Sequence, residues 1–346
     1  MPTNYIKNFD RCEFQKLYKK LSVAGAQKKP IWSGTVYVGT QPLYIECHVK
    51  WLADKIENYF FKSLPDEHIT GAKELYILND GVEKFMKRPD AWTTNVFWAD
   101  DNIYKQPDLI EHFNCLFGKW ENKYIISVDD DEASNFYHLG ENHLLMRLFA
   151  YIFNTPDNII LHGAVVGNEN NGVLITGLSG AGKSTLAAYC LSLGLKFVSD
   201  DRVALHTENG IIFANPIYTT LSLAQPIEGL KIKSCSRPNG CSKDIIVLDK
   251  SQISQNIKIN AIIEPIKQDT DTPVISKTPK APVLTRICSD YSNFSLLTRS
   301  MNPLDDYRKI ANIFKDINTY SLTLSNSVRD NAIAIYNFIT QGDVNV

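Results

Sequence analysis

Hydrophobic positions along the chain alternate between a helical and a strand period. Phe14, Leu17, Tyr18 and Leu21 fall at helical spacing. They predict an amphipathic helix that ends in the segment from Gly25 to Pro30. Strands are predicted over 35–38 and 43–49, then a helix over 51–61 with Leu52, Ile56, Tyr59 and Phe60 on its apolar face. A strand over 74–78 precedes the turn Asn79-Asp80-Gly81, and short strands are predicted over 96–98 and 124–128. Trp92, Phe97 and Trp98 read as core aromatics.

A second run starts at His138. Leu144, Leu145, Leu148, Phe149 and Ile152 mark a buried helix over 138–153, with Glu141 in its first turn where the helix dipole favours an acid. The stretch 159–166 reads as one buried strand interrupted by His162 and Gly163. Asn171-Gly172 is a hairpin signal, making that strand the antiparallel neighbour of a strand over 172–176. A helix over 185–193 follows, with Gly194 as its cap, and then a strand over 195–199. Asn209-Gly210 joins strands over 203–206 and 211–214, and 221–223 is a further short strand. The polar stretch 226–244 reads as a loop or lid. Strands are predicted over 245–248 and 259–263, and a long exposed loop over 268–280. Mixed helical signals run over 284–297. Asn302-Pro303 opens a helix, with Asp305 and Asp306 in its first turn. A strand over 320–324 and a closing helix over 328–339 complete the chain.

The chain has 346 residues, enough for two domains or one large one, with 44% hydrophobic and 21% charged positions, ordinary for a folded soluble protein. The expected division is an α+β region over 1–137 and an α/β domain over 138–346. The formal net charge of −2 gives no sign of a nucleic-acid or polybasic membrane partner. No apolar run approaches ~20 residues and no signal-peptide core is seen, so no membrane span is expected. The seven cysteines are scattered without a CxxC pair. This fits a reducing cytoplasm better than a disulfide framework.

One stretch carries chemistry. Gly177-Leu-Ser-Gly-Ala-Gly-Lys-Ser184 reads G-x-x-x-x-G-K-S between a strand and a helix, the context that a phosphate-binding loop requires. Its glycines let the backbone form a nest of amides facing phosphate oxygens. Gly177, Ser179, Gly180, Ala181, Gly182, Lys183, Ser184 and Thr185 are therefore the expected nucleotide contacts. Lys183 would reach the terminal phosphates and the Ser184 hydroxyl would hold Mg²⁺.

Asp200-Asp201-Arg202 ends the next predicted strand, at the edge of an α/β sheet where ligands bind. Mg²⁺ prefers hydroxyl and carboxylate oxygens, so Ser184 and one of the paired aspartates, Asp201 or Asp200, are the expected metal ligands. The other aspartate is the expected general base, with its neighbour's charge raising its pKa. His162 could bond the base or the transferred phosphate, and Arg202 could steady developing charge or brace the aspartates. Arg286 and Lys243 could contact phosphate, with surface charge as the default reading of both.

The order His162-Gly163, strand, Gly-x-Ser-Gly-x-Gly-Lys-Ser, helix, Asp-Asp-Arg-Val resembles the catalytic domain of HPr kinase/phosphorylase, over about 158 to 216. The resemblance implies a phosphate-loop nucleotide-binding domain of the HPr kinase/phosphoenolpyruvate carboxykinase type, with a mixed sheet. It also implies ATP and Mg²⁺ as cofactors, Asp200 as base with His162 beside it, and Lys183 on the phosphates. In place of the family's downstream glycine-rich signature stands Asn215-Pro-Ile-Tyr-Thr-Thr-Leu-Ser-Leu223. That departure is closer to the divergent relatives found in peptide-maturation clusters. The expected activity is ATP-dependent phosphorylation of a hydroxyl, serine in particular, on a peptide or small protein. A small-molecule kinase and a nucleotide-binding regulatory module are the alternatives. The region 1–137 would recognise substrate or support a homo-oligomer.

Overall fold

The structure is a computed structural model. It describes residues 19, 23, 29–60, 69, 71–79, 103–107, 114–120, 122–128, 143–178, 180–225, 227–236, 243–268, 270–294 and 303–341. The helix expected around Phe14 to Leu21, the strand over 96–98, Trp92 and Ser179 lie outside them. The chain falls into two compact units, one of residues 1–37 and 41–143, the other of 38–40 and 144–346.

The first unit holds a mixed six-stranded sheet in the order β1-β2-β3-β6-β5-β4. Its strands are β1 (Trp32–Val38), β2 (Gln41–Cys47), β3 (Lys73–Leu78), β4 (Ile103–Pro107), β5 (Asn114–Trp120) and β6 (Lys123–Val128). Helix α1 (Lys50–Tyr59) links β2 to the parallel β3, and β3 in turn pairs parallel with β6. Leu43, Ile45, Leu75 and Ile77 are buried, as are Trp51, Leu52 and Ile56 of α1. β4 and β5 were not expected, because Ile103 to Trp120 shows no sustained alternation for a period-2 reading to find.

The second unit is built on a curled mixed sheet. Its strands are β7 (Asn158–His162), β8 (Ala164–Gly167), β9 (Gly172–Ile175), β10 (Lys196–Ser199), β11 (Arg202–Glu208), β12 (Ile211–Asn215), β16 (Ile257–Lys267), β17 (Val274–Lys277) and β18 (Asn318–Leu324). The order is β10-β8-β9-β16-β12-β11-β7, with β18 also on β16 and β17 on β18. The long strand β16 makes this branching possible. One edge pairs parallel with β9, and its other edge pairs with β12 through Ile257 and Lys258 and then with β18 from Ala261 to Lys267. A small sheet, β13-β15-β14, lies apart: β13 (Thr220–Leu223), β14 (Ile232–Ser236) and β15 (Asp244–Leu248). The helices are α2 (His143–Phe153), α3 (Lys183–Ser192), α4 (Lys280–Phe294), α5 (Pro303–Ile313) and α6 (Val328–Gln341).

Alternation along β8 and β9 divides the core in two. Ala164, Val166, Val173 and Ile175 face a cluster with Leu186 and Leu191 of α3, Leu221 of β13 and Ile335 of α6. Val165 and Leu174 face the opposite cluster, with Leu161, Val203, Ile262, Ile287 of α4 and Phe314. Both faces of the central strands are therefore apolar, which is why 172–175 reads as a continuous hydrophobic run.

Two expectations need correction. The stretch 159–166 is two strands, because the chain breaks at Gly163 and sends β7 to β11 but β8 to β9. A Cβ at Gly163 would stand 2.8 Å from Leu174 Cδ1 and 3.0 Å from Ile175 O, so the crossing needs a glycine. Secondly, the stretches 226–244 and 268–280 contain strands β14 and β17. Both are short and largely exposed edge strands, without the apolar faces that sequence patterning detects. The hairpin signalled by Asn171-Gly172 forms, joining β8 to the antiparallel β9. The loop is 168–171, closed by Asn168 N–H donating to Asn171 O and by Asn168 Oδ1 accepting from the amides of Asn170 and Asn171. Gly172 serves close packing, since a Cβ there would meet Ile257 Cγ2 at 2.4 Å. Asn209-Gly210 is a true hairpin turn, with φ of 52° and 77°.

Among the described residues no helix is long and apolar enough to cross a membrane. Cys47, Cys190, Cys235 and Cys288 are free thiols.

Candidate functional site

The site grows from the end of β9. The chain leaves the sheet at Thr176 and turns through Gly177, Gly180 and Gly182 with φ of 136°, 79° and 92°. A Cβ at Gly180 or Gly182 would meet nothing within 4 Å, so these glycines are required for backbone conformation rather than for space. Gly182 is the N-cap of α3, which starts at Lys183, two residues earlier than its hydrophobic pattern suggests. Thus a run of left-handed glycines leads directly into a helix N-terminus, the arrangement by which backbone amides bind anions.

Lys183 is buried, and its ammonium folds back on the loop, donating to Gly177 O at 2.8 Å and Leu178 O at 3.1 Å. Burial lowers its pKa, opposed by the negative charges of Asp290, Asp200 and Asp201. The lysine is thus held at the loop by carbonyls that a phosphate oxygen would replace.

β10 brings the acids to this place. It runs antiparallel to β8, and β8 runs antiparallel to β9, so β9 and β10 are parallel with β8 between them. Their C-terminal ends share one edge of the sheet. Asp200 is buried there, 4% exposed, and accepts a hydrogen bond from Ser184 Oγ at 2.9 Å. The Ser222 amide of β13 lies 3.4 Å from its other oxygen. Burial, with the charge of Asp201, pushes the Asp200 carboxyl up to about 6.

Asp201 adopts φ 65°, a left-handed conformation uncommon outside glycine, and its side chain is largely exposed. The turn is braced by backbone. Arg202 N–H donates to Asp200 O, Gly163 N–H to Asp201 O, and the Ser199 hydroxyl to Arg202 O. Arg202 itself is buried, in register with His162 across β11 and β7, and its guanidinium reaches Asp201 O at 3.3 Å. His162 Nε2 lies 3.5 Å from Asp201 Oδ1, and Nδ1 lies 3.7 Å from Asp290 Oδ2.

Sequence reading missed two residues here, Asp290 and Glu264. Glu264 is buried on β16 beside Gly177 and pairs with Arg286 of α4. Arg286, read as a surface charge, instead lines a cavity of about 380 Å³ with Leu178 and Gly180, and its Nε is buried without a hydrogen-bond partner. Asp290 stands four residues further along α4. In sequence the two look like an ordinary helical ion pair; their divergence to separate partners is a tertiary fact.

A larger cavity of about 550 Å³ adjoins the loop on its other side. Gly182, Thr185 and Leu186 form one wall, and Leu324, Ser325 and Val328 form another. Buried Asn331 shapes this second wall, accepting from Ser325 N–H at 2.8 Å and donating to Ser325 O at 3.0 Å.

The donor set fits the expected groups. The amide nest and Lys183 suit a polyphosphate, and the adjoining cavity is roomy enough for a nucleoside. Ser184 with Asp200 and Asp201 suits Mg²⁺, which takes one or two carboxylates and completes its shell with water and phosphate. Among the described residues no group of three His, Cys, Asp or Glu side chains could hold a metal ion.

No family model matches the chain. Two curated proteins, both HPr kinase/phosphorylase from strains of Clostridium kluyveri, are 29% identical to it over 134 residues, 39% of this chain and 41% of theirs. The chain thus spans about two fifths of the length of the curated relatives it matches. The similarity points to the HPr kinase/phosphorylase family at low identity. A solved structure of the Hpr(Ser) kinase/phosphatase from Coxiella burnetii shares 14% identity, covering 53% of this chain and 88% of that one, with a TM-score of 0.28.

Proposed function

We propose that this protein is an ATP-dependent phosphotransferase of the HPr-kinase-like type, acting on a hydroxyl, serine in particular, of a peptide or small protein. One observation carries this reading: the Ser184 hydroxyl and the buried Asp200 carboxylate meet at 2.9 Å beside the phosphate loop. A nucleotide-binding module needs the loop alone. A buried carboxylate of raised basicity beside the phosphate loop is suited to take the proton of an acceptor hydroxyl.

The residues divide the work. The amides of Gly180 to Ser184 hold the phosphates, and Lys183 exchanges its carbonyl partners for phosphate oxygens. The cavity against Leu186 and Val328 takes the nucleoside. Asp200 accepts the proton of the acceptor hydroxyl, helped by a pKa of about 6 that makes it basic enough to take a proton yet ionised at neutral pH. Ser184, Asp200 and Asp201 would hold Mg²⁺, which when bound neutralises charge on the transferring phosphoryl group. His162 sits beside Asp201, where it can steady the carboxylate. The unit of residues 1–37 and 41–143 would recognise the substrate or support a homo-oligomer, and a cytoplasmic location suits the free thiols.

Replacement of the family's glycine-rich signature by Asn215 to Leu223 favours a substrate other than HPr, of the kind modified in peptide-maturation clusters. The test is transfer of label from γ-labelled ATP with Mg²⁺ to peptides and small proteins encoded beside this chain, with Lys183→Ala as control. Binding of ATP without transfer to any of them or to water would sink the proposal.

A further inference from the structure

We propose that Asp290 positions His162 within the transfer site, accepting the ring's Nδ1–H and so holding Nε2 toward Asp201. The inference rests on the phosphotransfer reading only for its kinetic consequence; the contact itself is independent of it.

His162 ends β7, where its backbone is fixed by pairing with Arg202 and by the break at Gly163. Backbone position alone leaves the imidazole free to rotate about its side-chain torsions. Two carboxylates flank the ring, one at each nitrogen: Asp201 at 3.5 Å from Nε2 and Asp290 at 3.7 Å from Nδ1. These are ion-pair distances, longer than hydrogen bonds, and catalytic contacts of this kind shorten when the reacting complex forms. Asp201 belongs to the left-handed turn that follows β10. Asp290 arrives from a different element, α4, whose buried face (Val283, Leu284, Ile287 and Tyr291) seats the helix in the core beside Leu161.

Helical surface pairing does not account for Asp290. Arg286, four residues earlier at the spacing of such a pair, bonds Glu264 instead. Asp290 is left toward the site, where its charge is the largest single influence on Lys183 after burial. A histidine with one nitrogen committed to a carboxylate presents the other in a fixed orientation, so the partner at Nδ1 determines what Nε2 can do.

The test uses the full-length, ¹⁵N-labelled protein at one fixed pH, with His162→Gln assigning its signals among the seven histidines. Imidazole proton–nitrogen correlation spectra should show Nδ1 of His162 protonated in the wild type and losing that signature in Asp290→Ala. Identical His162 signals in the two proteins would overturn the proposal, whatever the activity. In transfer assays Asp290→Ala should lower kcat about 10- to 100-fold, the scale of losing a histidine's orienting partner, with the KM for ATP held within about twofold. Asp290→Asn, which keeps an acceptor oxygen and the side-chain shape, should recover part of that loss and also serves if the alanine variant does not fold. An effect on KM alone, or none on kcat, would assign Asp290 no positioning role. A wild type that transfers nothing would defeat the phosphotransfer reading but leave the spectra to decide the contact.

Discussion

Ser184 donates a hydrogen bond to Asp200 across 2.9 Å, joining the first turn of α3 to the end of β10. The two residues are sixteen apart in the chain and reach one another because β9 and β10 are parallel on either side of β8. Everything proposed for the site turns on this pair.

Asp200→Asn should keep ATP binding and lose transfer, by about 100- to 10,000-fold in kcat, the range for removing a general base. Calorimetry with ATP and single-turnover transfer assays would measure the two effects separately. Equal loss of both would mean that Asp200 holds the nucleotide rather than the acceptor's proton.

The raised Asp200 pKa also makes a stability prediction for protein free of metal and nucleotide. An ordinary aspartate titrates near 3.8, while this one titrates at about 6. The folded state therefore keeps the proton to higher pH than the unfolded chain does. Its contribution to stability is full below 3.8 and is lost as pH rises through about 6. The difference is worth roughly 3 kcal/mol. Urea unfolding at pH 8 should find Asp200→Asn more stable than wild type, with the gap closing toward pH 4.

Lys183→Ala should weaken ATP binding about 10- to 100-fold, the worth of hydrogen bonds from a charged donor. Because the lysine bonds only its own loop in this structure, through Gly177 O and Leu178 O, thermal stability should change little. A large fall in melting temperature would show that the lysine is structural.

Gly163→Ala should destabilise the fold by about 1–3 kcal/mol, as overpacking does. The added methyl would stand 3.0 Å from the Ile175 carbonyl, and backbone cannot yield as a side-chain tip can. The displacement would fall beside His162 and the Asp201 carbonyl, so transfer should fall further than denaturant midpoints alone would account for.

Asn331→Ala would leave Ser325 N–H and O without their partner in a buried place, at a cost of about 1–3 kcal/mol. Since Ser325 walls the larger cavity, the KM for ATP should rise while kcat changes little. Titration with inorganic triphosphate, which lacks the nucleoside, should show no such change.

The phosphate loop was legible in the sequence because its function is local. Glycines at set intervals between an apolar strand and a helix specify a backbone nest wherever they occur, and Gly177, Gly180 and Gly182 all take positive φ. Asp200 and Asp201 were legible for a related reason, since acids ending a strand after the loop helix fall on the ligand edge of an α/β sheet. The closing elements α5, β18 and α6 were also readable, from caps and from periods of 3.6 and 2.

Other features had no local signal. The break of 159–166 at Gly163 depends on how close β9 approaches, and β14 and β17 are strands because neighbouring strands pair with them, not because their own residues alternate. Arg286 and Asp290 satisfy the rule for a helical ion pair and do not form it. Sequence alone determined where the chain can form a glycine turn leading into a helix and where two adjacent carboxyls end a strand, because backbone conformation and side-chain chemistry are properties of a few adjacent residues. Only the tertiary structure decided which side chains meet. Insertion of β8 between β9 and β10, and the seating of α4 on the core, set distances that no residue spacing encodes. These bring Ser184 to Asp200, and Asp290 to His162.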